Sequence, residues 1–97
     1  MLHTINQSPF ESLVLENSLP FIAENDVILL IENGVTAAKA KTSKSILIEA
    51  LIKKNQVFAL DADLKARGIE DLINGVKTID YDGFVDLVEQ HVVKNWF

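Results

Sequence analysis

No cysteine occurs in the 97 residues of this chain. That absence excludes a disulfide framework, a thiolate metal site, a cysteine nucleophile and any persulfide chemistry carried by the chain itself. Positive charge is also scarce: Lys and Arg total 9 against 14 Asp and Glu, for a net charge of -5 at pH 7. With no long basic run, the attraction that dominates phosphate-backbone binding is missing, and direct nucleic-acid contact is not expected. Long hydrophobic runs are lacking too. No segment approaches the roughly 18 uninterrupted apolar residues of a membrane span, and the N-terminus has no basic region followed by an apolar stretch. The expectation is a cytoplasmic protein that does not contact membrane. Linkers, repeats and low-complexity segments are absent, so residues 1–97 are expected to form a single domain. What the chain does have is 48% hydrophobic residues, enough for a core. An α/β sheet of this size nonetheless leaves apolar surface uncovered, which favours a partner subunit.

The most telling segment is residues 26–38. A β-branched and leucine run without alternation, Val27-Ile28-Leu29-Leu30-Ile31, describes a strand buried on both faces, and Asn33-Gly34 lets the chain turn sharply into a helix expected from Val35. A first strand is expected over residues 1–5, ended by the polar turn Asn6-Gln7-Ser8-Pro9. Residues 10–25 carry helix-spaced apolar positions. Pro20 is tolerated only in a first turn, which places the start of regular helix at Asn17 or Ser18. A polar break at Lys41-Thr42-Ser43-Lys44 precedes a helix through Ile46 and Leu51, and Gln56 to Leu60 is strand three. Asp61 is expected to cap a short helix that Gly68 closes in a left-handed conformation. Residues 77–80 form a fourth strand and residues 81–93 a last helix. Strands alternating with helices predict a small three-layer α/β/α domain around a mainly parallel central sheet.

Ligands of open parallel sheets collect beyond the carboxyl ends of the strands, here Asn6-Gln7, Asn33-Gly34, Asp61-Ala62-Asp63 and Asp80-Tyr81-Asp82. Paired carboxylates can do acid/base work, but helix capping by Asp61 and by Asp80 or Asp82 accounts for them. A phosphoacceptor site of receiver type would need an acid after strand one, where Asn6-Gln7 stands. Neither a dinucleotide glycine motif nor a phosphate loop occurs, because Lys41-Thr42 follows Ala40 where glycine is required. The lysines Lys39, Lys41 and Lys44 read as a solvated patch. His3 and His91 lack the neighbours of a metal site. His3 is expected to be a hydrogen-bonded structural residue and His91 a cation at a helix end. No serine sits in a nucleophile elbow. The expected catalytic, cofactor and metal sites are therefore none. The terminal pair Trp96-Phe97 either tucks onto the chain's own core or docks against another subunit.

Four blocks carry a resemblance: Met1-Leu2-His3-Thr4-Ile5-Asn6-Gln7-Ser8-Pro9-Phe10, residues 29–38, residues 58–68, and Ile79-Asp80-Tyr81-Asp82-Gly83-Phe84-Val85-Asp86-Leu87. In order and spacing they resemble the TusB/DsrH family over nearly the whole chain. The resemblance implies a DsrE/F/H-like fold and a non-catalytic subunit of a cytoplasmic sulfur-relay complex. Its implied partners are TusC-like and TusD-like subunits in a heterohexamer and, indirectly, TusA-like and TusE-like sulfur carriers. The implied product is the 2-thiouridine at the wobble position of certain transfer RNAs, and the active cysteine lies on another subunit. Some relatives carry a cysteine ahead of a Leu-x-Phe sequence. Here that position is Ser18, which holds no persulfide and is expected to cap a helix with Pro20 in its first turn. His3, Phe10, Trp96 and Phe97 are the candidate partner interface.

Three alternatives remain open at the level of sequence. One is a DsrH-like subunit of a DsrEFH complex in sulfur oxidation, which the serine at position 18 disfavours. Another is a stand-alone domain that binds a small anion near Gly34. The third is a small acid/base enzyme built on Asp61 or Asp80.

Overall fold

Val27–Leu30 (β2) is buried along its whole length because it lies inside the sheet and both of its faces are covered. In the computed structural model, which describes residues 1–97, β2 pairs in parallel with β1 (Leu2–Ile5) on one side and β3 (Gln56–Leu60) on the other. β4 (Lys77–Ile79) extends the sheet beyond β3, and β5 (Val93–Trp96) returns to pair with β1. The five strands are all parallel in the order β4-β3-β2-β1-β5, so the predicted α/β sheet is present.

The two faces are unequal. Ile5, Ile28, Leu30, Val57 and Ala59 point to the thicker layer and pack with Leu15 of α1 (Val14–Ser18), Ile48 and Leu51 of α2 (Ser45–Ile52), and Leu64 of α3 (Asp61–Ala66). A 3-10 segment, Glu32–Ala38, contributes Val35, Ala37 and Ala38 to the same core. On the other face Leu2, Val27 and Leu29 meet a single helix, α4 (Tyr81–Gln90), through Phe84 and Leu87. No residue of α4 is fully buried.

Several sequence expectations need correction. Regular helix does not start at Asn17 or Ser18; it ends there. Turns around Ser8, whose carbonyl accepts from the Glu11 and Ser12 N–H groups, start the helix earlier. Pro20, with no N–H to donate, forces Leu19–Phe21 into a 3-10 turn. The segment after β2 is likewise 3-10 and not α-helical. Its left-handed residue is Glu32 (φ 51), so the sharp turn expected at Asn33-Gly34 begins one residue earlier. Gly34 is needed for another reason: a Cβ there would lie 2.0 Å from the Ile5 carbonyl oxygen. The last helix stops at Gln90, because His91 is extended and the Leu2 N–H donates to the Val92 carbonyl at 2.8 Å. Residues 93–96 thereby become the fifth strand, which the helical reading of residues 81–93 missed. The closure of α3 at Gly68 (φ 65) is as expected, with Gly68 N–H donating to Lys65 and Ile69 N–H to Leu64.

Candidate functional site

His3 is the buried polar residue with the most elaborate surroundings. Strand alternation turns it to the same face as Ile5, and pairing with β5 places Lys94 beside it and Trp96 beside Ile5. Asp26 closes a tight turn before β2: its carboxylate accepts the Ala23 N–H at 2.9 Å, with Asn25 in a left-handed conformation (φ 73). The Asn55 amide pins that turn by donating to the Ala23 and Asp26 carbonyls. Asp26 Oδ2 then lies 2.8 Å from His3 Nε2, while the Trp96 indole N–H donates to His3 Nδ1 at 3.0 Å. An indole nitrogen only donates, so Nδ1 must accept and the imidazole proton sits on Nε2, donated to Asp26.

Burial opposes the charged form of Asp26, yet hydrogen bonds from His3, the Ala23 N–H and the N-terminal ammonium outweigh it and lower its pKa to about 2. The N-terminal amine lies 3.2 Å from Oδ1. Around this cluster Phe21 is tilted against Trp96 with ring centroids 5.5 Å apart, and Lys94 Nζ sits 5.0 Å from the Trp96 ring centre. Met1, His3, Phe21, Lys94 and Trp96 line a shallow cleft of about 460 Å³. An Asp–His pair is two thirds of a hydrolytic triad, but the third position is filled by an indole N–H, which offers no nucleophile. The cluster therefore clamps three strands together. His3 is the hydrogen-bonded structural residue expected from sequence, and Trp96 folds onto its own chain.

The strand ends are occupied internally. The Glu32 N–H, where an anion would bind beyond β2, donates to Asp63 Oδ2 at 2.6 Å, and the Gly34 N–H donates to the Ile31 carbonyl. Arg67 completes this lock by donating to Asn33 Oδ1 from both Nε and Nη2. Asp61 does not cap α3, because Leu60 holds the cap position and Asp61 pairs instead with Lys65 at 3.0 Å. Asp80 does cap α4, accepting the Gly83 N–H at 2.8 Å. Of the lysine patch, Lys44 is bound to Glu16 at 2.6 Å. The Asn6 side-chain oxygen, beside Gly34, is a buried acceptor without a partner.

Of the four candidate interface residues, His3 and Trp96 come together, whereas Phe10 lies in the turn after β1 and Phe97 is an exposed terminal ring. Sequence reasoning missed Asp26 and Phe21, although Asn25-Asp26 between two apolar runs is a turn signal. Ser18 is fully buried, and its hydroxyl donates to the Leu15 carbonyl at 2.6 Å, so it is not the helix-capping acceptor that was expected. A Ser18→Cys thiol should accordingly resist alkylation in the native protein and react only on addition of denaturant. Rapid native labelling would show that α1 opens readily.

The chain is similar to proteins of known name along most of its length. The family described as "DsrH like protein" matches residues 7–93. Proteins named TusB from Pectobacterium parmentieri and Shigella flexneri are 36% and 39% identical, and one from Escherichia coli O81 is 40% identical, each with 94% of both chains covered. A solved structure of a protein of unknown function from Methanobacterium thermoautotrophicum superimposes with a TM-score of 0.76 over 97% of this chain and 96% of that one. At 17% identity that likeness concerns the fold alone.

Proposed function

The chain belongs to the DsrH-like family, and from that premise we propose that it is a non-catalytic subunit of a TusBCD-type sulfurtransferase complex, relaying persulfide sulfur for 2-thiolation of the transfer-RNA wobble uridine. The observation that carries this reading is similarity to proteins named TusB at 36–40% identity with 94% of each chain covered. A relay subunit of this kind needs no thiol of its own if another subunit carries the persulfide. The absence of cysteine and the inert, buried hydroxyl at Ser18 suit such a role. The relatives' Tus names favour this system over a DsrEFH complex of sulfur oxidation.

In this reading residues 1–97 act as one domain in the cytoplasm, and TusC-like and TusD-like subunits complete a heterohexamer that TusA-like and TusE-like carriers visit. No helix is long and apolar enough to cross a membrane. Phe10 and Phe97 would offer exposed rings to a neighbour, while His3 acts by holding Trp96. The decisive experiment is the native mass of this chain expressed alone and together with its TusC-like and TusD-like neighbours. A defined mixed oligomer that forms only on co-expression is the expected result. A monomer indifferent to both neighbours would overturn the proposal.

A further inference from the structure

The layer on the second face of the sheet is one helix thick, and α4 carries more apolar surface than that face uses. Phe84 and Leu87 turn inward to the Leu2, Val27 and Leu29 patch. Tyr81, Val85 and Val88 recur at i, i+4 and i+7, the spacing of a second row on the same helix. Tyr81, Val85 and Val88 are 62%, 52% and 38% exposed. Scattered apolar side chains on a surface need no explanation, but a row at seam spacing does.

A second row runs beside the first. Asp82, Asp86 and Glu89 recur at the same spacing, all exposed. α4 contains no Lys or Arg, and none of the three acids makes a salt bridge within the chain. An apolar seam bordered by an uncompensated acidic ridge selects its occupant by charge. Anionic lipid and nucleic acid would be repelled. A second copy placed antiparallel across the seam would bring both acidic ridges to the same side, between chains that each carry a net charge of -5. We propose that this face of α4 docks a partner protein that presents an apolar helix seam flanked by Lys or Arg. The inference stands on α4 alone and does not depend on the sulfur-relay reading.

The test uses the full chain, amide NMR, and two synthetic amphipathic helical peptides with the same leucine seam, one flanked by lysine and one by glutamate. Saturable shifts confined to α4 are expected with the lysine peptide, together with affinity for the glutamate peptide at least about tenfold weaker. Val85→Asp should weaken the lysine peptide by a similar factor through the seam. The triple change Asp82→Lys, Asp86→Lys and Glu89→Lys should invert the preference between the peptides. All four positions are exposed, so these variants keep the core intact. Equal response to both peptides, or shifts that map away from α4, would overturn the proposal. So would a dimer of the free chain that Val85→Asp dissociates, since a second copy would then hold the face.

Discussion

Gly34→Ala is expected to cost about 3 kcal/mol or more, a large share of the stability of a small domain, and to lower its urea midpoint sharply. The new methyl carbon would stand 2.0 Å from the Ile5 carbonyl oxygen and 2.8 Å from its carbon, both backbone atoms that cannot rotate away. Moving that carbonyl has a second cost, because it accepts the Ile31 N–H at 3.0 Å where β1 and β2 end side by side. The substitution therefore opposes the junction of the two central strands with the 3-10 turn that follows them. Gly68→Ala is the informative control. Its φ of 65 disfavours a side chain, but nothing lies within 4 Å of the added atom, so the loss should be about 1 kcal/mol. Urea unfolding followed by far-UV circular dichroism compares the two. A Gly34→Ala midpoint within the range of Gly68→Ala would show that β1 and the turn separate more easily than their contact implies.

The same residue shows what a sequence does and does not reveal. An apolar run ending in Asn33-Gly34 announced a central parallel strand and a tight turn, because double burial and turn chemistry are local properties. Which residue would take the left-handed conformation, and that Gly34 would face the end of β1, depended on a neighbour 29 positions earlier in the chain. Local signals also placed β3, α2, the closure at Gly68 and the Asp80 cap. They failed where tertiary pairing overrode them. Val92-Val93 suits either a helix end or a strand, and pairing with β1 decides for the strand. Pro20 was read as the first turn of a helix because the turn at Ser8-Pro9, legible in composition, marks the end of β1 without showing that α1 starts soon after it. At the clamp, the sequence suggested a hydrogen-bonded His3 but not its partners, which lie 23 and 93 residues away. Parallel pairing joins strands distant in sequence, and spacing rules written for one helix or one loop cannot see across it.

Removing the charge at the clamp should have the other large effect, and its pH dependence separates charge from packing. The Asp26 pKa falls from 3.8 to about 2 in the folded chain, and its side chain is only 14% exposed. A carboxylate lowered on folding stabilises the native state above its unfolded pKa and loses that contribution as pH falls through the folded one. The window here runs from about pH 4 down to about pH 2, and the contribution at neutral pH is roughly 2 kcal/mol. Asp26→Asn should therefore be less stable than the parent by about that amount at pH 7, and the two should converge below pH 2. Trp96→Phe should behave differently. It keeps an aromatic ring in place but withdraws the N–H from His3 Nδ1, leaving a buried acceptor unpaired at a cost of about 1–3 kcal/mol. Asp26 keeps its ammonium and Ala23 N–H partners in that variant, so much of the acid-side fall should survive. Urea midpoints measured across pH 2–7 test both. If the Asp26→Asn deficit stayed constant over that range, the clamp would be held by shape rather than by the ionised carboxylate.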